Sequence, residues 1–156
     1  MRKKIAIILG SKSDYSYIEE AIKVLDDFDI GYEVKILSAH RNPDALHRYV
    51  KKIDREGFKV VIAVAGGAAA LPGVVASYTT LPVIGVPVYT KAFKGIDSLL
   101  SILQMPRGVP VATMAIGSQG AINAVLLSLR ILSINNYYIR KKLLKYKKKI
   151  KMLGKK

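Results

Sequence analysis

The chain has 156 residues and a mass of 17.1 kDa, a length that suits one domain burying ~68–70% of its unfolded surface around a single core. Its 51% hydrophobic residues contain no run near the ~18–20 of a membrane span, and with no cysteine there is no disulfide, thiolate metal site or cysteine nucleophile. The formal charge is +15, but residues 140–156 hold ten of the 26 Lys/Arg and no acid, so residues 1–139 carry only 16 basic against 11 acidic side chains. The basicity belongs to a tail, and neither a nucleic acid nor a membrane is an expected partner.

Behind the basic Met1–Lys4, the apolar run IAIIL (5–9) stops at Gly10-Ser11, too short for a secretory signal, and a cytoplasmic location is expected. That run is nearly continuous rather than alternating, as in a strand covered on both faces. Ile18, Ile22, Leu25 and Phe28 then recur at helical spacing. YEVKI (32–36) alternates more and suits an edge strand. Pro43–Glu56 reads as a helix with proline at its first position and Asn42 as its cap. VVIAV (60–64), VIGVPV (83–88) and VATMAI (111–116) repeat the doubly covered strand pattern, and Ala121–Leu132 is small and apolar enough for a core helix. In residues 137–156, Ile139, Leu143, Tyr146, Ile150 and Leu153 form a stripe opposite a lysine face, a basic amphipathic helix packing on its own or a neighbouring subunit. Alternating strands and helices with short connections predict an α/β domain over 1–156: a flavodoxin-like three-layer sandwich with a five-stranded parallel sheet, plus C-terminal helices.

Ligands of such sheets bind outside the carboxyl ends of the strands. Three unusual stretches fall there. GSKSD (10–14) leads into a helix, where its hydroxyls and the free helix N–H groups attract an anion, while Ser13 or Asp14 equally suits a helix cap. SAHRNP (38–43) sets Arg41, a planar fork for phosphate or carboxylate, beside His40, whose side-chain type exchanges protons near neutrality. The alternative there is a surface His and Arg in a loop; His47, inside the next helix, reads as an ordinary surface residue. AGGAAALPG (65–73) lets a ligand approach backbone amides at Gly66-Gly67, or serves tight helix-on-sheet packing. QMPRG (104–108) is a turn. GxxxxGK[ST], GxGxxG, HExxH and GxSxG are all absent, and the three loops together suggest a pocket for a small phosphorylated molecule with one acid–base residue.

GSKSD, SAHRNP, AGGAAALPG, LPVIGVPV, QMPRGVPV and AIGSQGAINA, in this order and at these spacings across residues 4–133, resemble the PurE family in its bacterial, N5-carboxyaminoimidazole ribonucleotide mutase form. The resemblance implies a flavodoxin-like subunit in a homo-octamer, with active sites near subunit contacts. It also implies an isomerase of purine (IMP) biosynthesis that converts N5-carboxyaminoimidazole ribonucleotide to 4-carboxy-5-aminoimidazole ribonucleotide without metal, nucleotide or organic cofactor. By position, Ser11, Ser13, Asp14 and Arg41 would hold the ribose 5-phosphate, Ser38 would line the site, Gly66 and Gly67 would border the migrating carboxylate, and His40 would be the proton shuttle. Ala70 stands where many relatives have histidine, so any relay through a second imidazole is missing.

Tail-borne charge has a measurable consequence. Fluorescence anisotropy with duplex DNA or RNA at low salt is expected to show only weak binding; tight, strongly salt-dependent binding that disappears on removing residues 140–156 would reinstate a nucleic-acid partner.

Overall fold

The computed structural model describes residues 3–153, except for the side chain of Leu153. Five strands, β1 (Lys3–Leu9), β2 (Gly31–Ile36), β3 (Val60–Ala65), β4 (Val83–Pro87) and β5 (Ala112–Thr113), form one sheet in the order β2-β1-β3-β4-β5. Every pairing is parallel. The direction in which successive strands are added reverses at β1, which lies between β2 and β3, so the flavodoxin-like order and the parallel α/β class read from the sequence hold.

Alternate residues of β1 feed two cores, as the two-residue side-chain period of a strand requires. Ile5, Ile7 and Leu9 pack with Ile18, Ala21, Leu25 and Phe28 of the first helical segment, which contains α1 (Glu19–Asp27), and with Ala121, Ala124, Val125 and Leu129 of α5 (Ser118–Ser133). Ala6 and Ile8 face the other way, onto Leu46, Val50 and Ile53 of α2 (Pro43–Arg55), Leu71 and Val75 of α3 (Leu71–Tyr78), and Ile102 of α4 (Ile96–Leu103). Helices therefore cover both faces of the central strands, which explains why their sequences are apolar without alternation.

Three local expectations are corrected. VATMAI does not form a doubly covered strand: only Ala112 and Thr113 pair with β4, and Ala112 and Ala115 are exposed. The segment lies at the sheet edge, with Pro110 ahead of it lacking an N–H, and it follows β4 through isolated bonds from the Met114 amide to the Gly85 carbonyl and from the Gly117 amide to the Pro87 carbonyl. Asn42 precedes α2 without capping it, because its side chain accepts from the Ser38 amide at 2.7 Å instead. The helix after GSKSD begins as a 3-10 segment, Lys12–Tyr17, before α1.

The C-terminal helix, α6, runs Tyr137–Leu153; residues 154–156 of the expected 137–156 span lie outside the described residues. Its stripe is graded. Ile139 is buried, Leu143 and Tyr146 pack on the α1/α5 layer, and Ile150 is half-exposed. Tyr146 meets Phe28 edge-on with ring centroids 5.9 Å apart, and Lys142 pairs with Asp29. Among the described residues no helix is long and apolar enough to cross a membrane.

Gly120 fixes how closely the first turn of α5 approaches the segment that leads into it. A Cβ there would stand 1.7 Å from the Ala115 carbonyl oxygen, an overlap that only backbone movement relieves. Gly120→Ala is expected to destabilise the protein by at least about 2 kcal/mol in urea unfolding. A change below about 0.5 kcal/mol would mean the turn before α5 yields freely.

Candidate active site

Gly10 ends the apolar core of β1, and its amide donates to the Val64 carbonyl on one neighbour while the Leu9 carbonyl accepts from the Leu37 amide on the other. The loops after β1, β2 and β3 leave the sheet side by side from this point. Together with the loop after β4 they enclose a cavity of about 510 Å³ lined by Gly10, Ser11, Asp14, Ser38, His40, Arg41 and Gly66, with Ala65, Ala69, Ala70 and Leu71 on its apolar side.

In GSKSD, capping is directly visible. The Ser11 side chain accepts from the Ser13 amide, and the Asp14 carboxylate accepts from the Ser11 amide at 2.9 Å, a reciprocal capping box. Ser13 has one hydroxyl proton, which it donates to Ser11 Oγ at 2.9 Å; Asp14 Oδ1, at 3.5 Å, is the weaker acceptor. Ser13 thus braces the loop from outside the cavity lining, while Ser11 and Asp14 line it. Asp14 is 7% exposed, and burial pushes its carboxyl pKa up, against opposing effects of the Ser11 amide, the Ser13 hydroxyl and the nearby Arg41 charge.

In SAHRNP, the Ser38 hydroxyl accepts from the Arg41 amide at 3.2 Å and the Ser38 amide donates to Asn42, folding the loop so that His40 and Arg41 both reach the cavity. Arg41 Nη2 donates to the Gly10 carbonyl at 3.3 Å, which ties the second loop to the first. His40 lies exposed on the cavity wall. His47 is exposed on α2 outside the cavity lining, its ring 4.5 Å from that of Tyr78 and tilted by 41° to it.

In AGGAAALPG, Gly66 lines the cavity and Gly67 does not. The Gly67 amide is already taken by Ser98 Oγ at 2.9 Å, so the two glycines do not both present free N–H groups. A side chain at Gly66 would meet Val88 Cγ2 at 2.8 Å, and Gly67 holds φ +67. QMPRG lies elsewhere: Met105 packs over Gly73 of α3, its Cε 2.8 Å from where a Cβ would stand.

Sequence reasoning did not single out Val88 and Tyr89, which complete the lining after β4, or Ser98 behind them. The rule that drew attention to the first three loops, that ligands gather at strand carboxyl ends, applies to Tyr89 and Thr90 equally.

Residues 4–152 match the family described as AIR carboxylase. The chain belongs to the AIR carboxylase family. Relatives in this family include the N5-carboxyaminoimidazole ribonucleotide mutase of Pyrococcus abyssi, 55% identical over 148 residues that span 95% of this chain and 84% of that protein. The mutase of Bacillus subtilis is 52% identical over 143 residues, 92% of this chain and 88% of that one. The crystal structure of Treponema denticola PurE superimposes with a TM-score of 0.88 at 29% identity, covering 97% of this chain and 93% of that chain. Of the motifs that carry the PurE resemblance, GSKSD, SAHRNP and AGGAAALPG contribute residues to the cavity lining, while QMPRG does not.

Asp14 gives this site a pH signature. Folded Asp14 holds its proton more tightly than the unfolded chain does, so it favours the fold below the unfolded carboxylate pKa of ~3.9 and loses that advantage as pH rises through its folded value. Asp14→Asn escapes this loss while keeping an acceptor for the Ser11 amide. Thermal melts should therefore show the variant gaining on wild type as pH rises from about 3 to 7, whereas a constant difference would mean that burial does not control this carboxyl.

Proposed function

We propose that this chain is an N5-carboxyaminoimidazole ribonucleotide mutase of purine biosynthesis, an isomerase that moves a carboxyl group from the exocyclic nitrogen to ring carbon 4. The observation that carries this reading is one cavity holding the capped Ser11–Asp14 turn, the Arg41 guanidinium and the His40 imidazole, in a chain whose relatives at 52–55% identity bear the mutase name.

Arg41 with Ser11 takes the ribose 5-phosphate: the guanidinium supplies charge and a planar fork, and the helix start adds amide dipoles. Asp14, an acceptor when ionised, suits ribose hydroxyls better than phosphate oxygens, and Ser13 supports Ser11. Ser38 holds the His40-Arg41 loop in place. Gly66 borders the migrating carboxylate, with Gly67 shaping the turn. His40 is the proton shuttle. Its imidazolium protonates the exocyclic nitrogen as the carbamate C–N bond breaks and carbon dioxide leaves; carbon 4 attacks the retained carbon dioxide, and neutral His40 removes the proton from carbon 4. The cycle returns the histidine to its starting state, and no metal or organic cofactor enters it. Proton transfer of this kind contributes typically ~10²–10⁴-fold, and holding carbon dioxide beside the ring contributes the remainder through proximity. The alanines at 65, 69 and 70 give that gas an apolar enclosure.

The reading includes a cytoplasmic homo-octamer. Exposed Ile96, Leu100 and Leu103 recur along one face of α4 next to exposed Phe93, and the β5 edge carries exposed alanines, surfaces that neighbouring subunits would cover.

The test follows product from chemically prepared N5-carboxyaminoimidazole ribonucleotide in bicarbonate-free buffer with EDTA. Wild type is expected to form the 4-carboxy product, and folded His40→Asn to lose at least about 100-fold in kcat. Wild type that turns over only aminoimidazole ribonucleotide with added bicarbonate would be a carboxylase instead, and an undiminished His40→Asn would remove the shuttle.

A further inference from the structure

Ser98 and Ser128 are both fully buried, yet their hydroxyls do different things. Ser128 bonds back to the Ala124 carbonyl of its own helix at 2.8 Å, the ordinary way a helical serine satisfies itself. Ser98, on the first turn of α4, leaves its helix. It accepts from the Gly67 amide at 2.9 Å and donates to the Val88 carbonyl at 2.9 Å, bridging the loops after β3 and β4 through one oxygen. The same helical turn holds a second tether, because the Asp97 carboxylate accepts from the Thr90 hydroxyl at 2.8 Å. Fit is tight around the bridge: Val88 leaves no room for a side chain at Gly66, and Gly66, Val88 and Tyr89 all line the cavity.

We infer that Ser98 is a positioning residue for the reaction, locking the Gly66-Gly67 turn against Val88 and so fixing the cavity wall built by the β3 and β4 loops. The assignment of that wall to the migrating carboxyl group rests on the mutase reading. The phosphate end depends on other loops, those after β1 and β2, which the Ser98 hydroxyl does not touch. Loss of the bridge should therefore spare substrate affinity and impair turnover, and a looser wall should let carbon dioxide escape after the carbamate C–N bond breaks, leaving aminoimidazole ribonucleotide as a side product.

The experiment compares wild type, Ser98→Ala, Ser98→Thr and Ser128→Ala for kcat, KM and the ratio of aminoimidazole ribonucleotide to 4-carboxy product, corrected for spontaneous decarboxylation, and measures hydrogen exchange at the Gly67 amide. Ser98→Ala is expected to lose about tenfold or more in kcat with KM within about twofold, to raise the side-product ratio, and to speed Gly67 exchange about tenfold. Ser98→Thr, which keeps the hydroxyl, should recover most of kcat, and Ser128→Ala should match wild type in kinetics. Ser98→Ala with wild-type kcat and product ratio, or equal damage from Ser128→Ala, would overturn the inference. If wild type proves inert on this substrate the mutase reading fails separately, and Ser98 is then judged by Gly67 exchange: faster exchange in Ser98→Ala upholds the lock, and unchanged exchange ends it.

Discussion

The site depends on a strand paired on both sides to its last residue. β1 has parallel partners at both edges through Leu9, so the backbone there is held by the Leu37 and Val64 bonds before any loop begins. Connections on its two sides cross to opposite faces of the sheet, and a crevice opens where they part. Burial supplies the rigidity: Ile5 to Leu9 are all at most 1% exposed, and close-packed interiors resist displacement of the strand along its axis. A loop anchored on such a strand begins from a fixed point, and four such loops meet around the cavity.

Polar groups of the first two loops around this cavity bond largely within their own loop. The Ser11 amide, the Asp14 carboxylate and the Ser11 and Ser13 hydroxyls form a closed local set, and the Ser38 and Asn42 side chains do the same for the second loop. Arg41 joins the sets through the Gly10 carbonyl. Buried polar groups left without partners are expensive, so loops that must stay open to a ligand gain from bonds along their own backbone. Asp14 illustrates the remaining tension, since its partners lower its proton affinity and its burial raises it further.

Much of this was legible beforehand. Continuous apolar runs revealed β1, β3 and β4 because helices cover both their faces, and YEVKI revealed an edge because its alternation reflects partial cover. The same logic failed for VATMAI, whose apolar residues lie at a sheet edge with alanines exposed; an apolar composition does not say which of its residues the fold covers. Local chemistry was ambiguous wherever a residue had two competent partners. Asn42 suited a cap from its place before Pro43, yet the Ser38 amide took its side chain, a choice decided by how the loop closes. Ser98 was invisible for the opposite reason: nothing in IDSLLSIL distinguishes a serine bonded within its helix from one bonded across two loops.

The tether from Arg41 to Gly10 has a thermodynamic meaning. A free arginine surrenders up to about 2 kcal/mol of rotamer freedom when a ligand immobilises it. Here that ordering takes place during folding, through a bond to a backbone carbonyl which is itself fixed by β1. In the proposed function, an anion reaching Arg41 would meet a guanidinium already tethered to Gly10, so more of the interaction energy would appear as affinity and less would be absorbed in restricting the side chain. In that reading, selection among anions would fall to the shape of the surrounding loops.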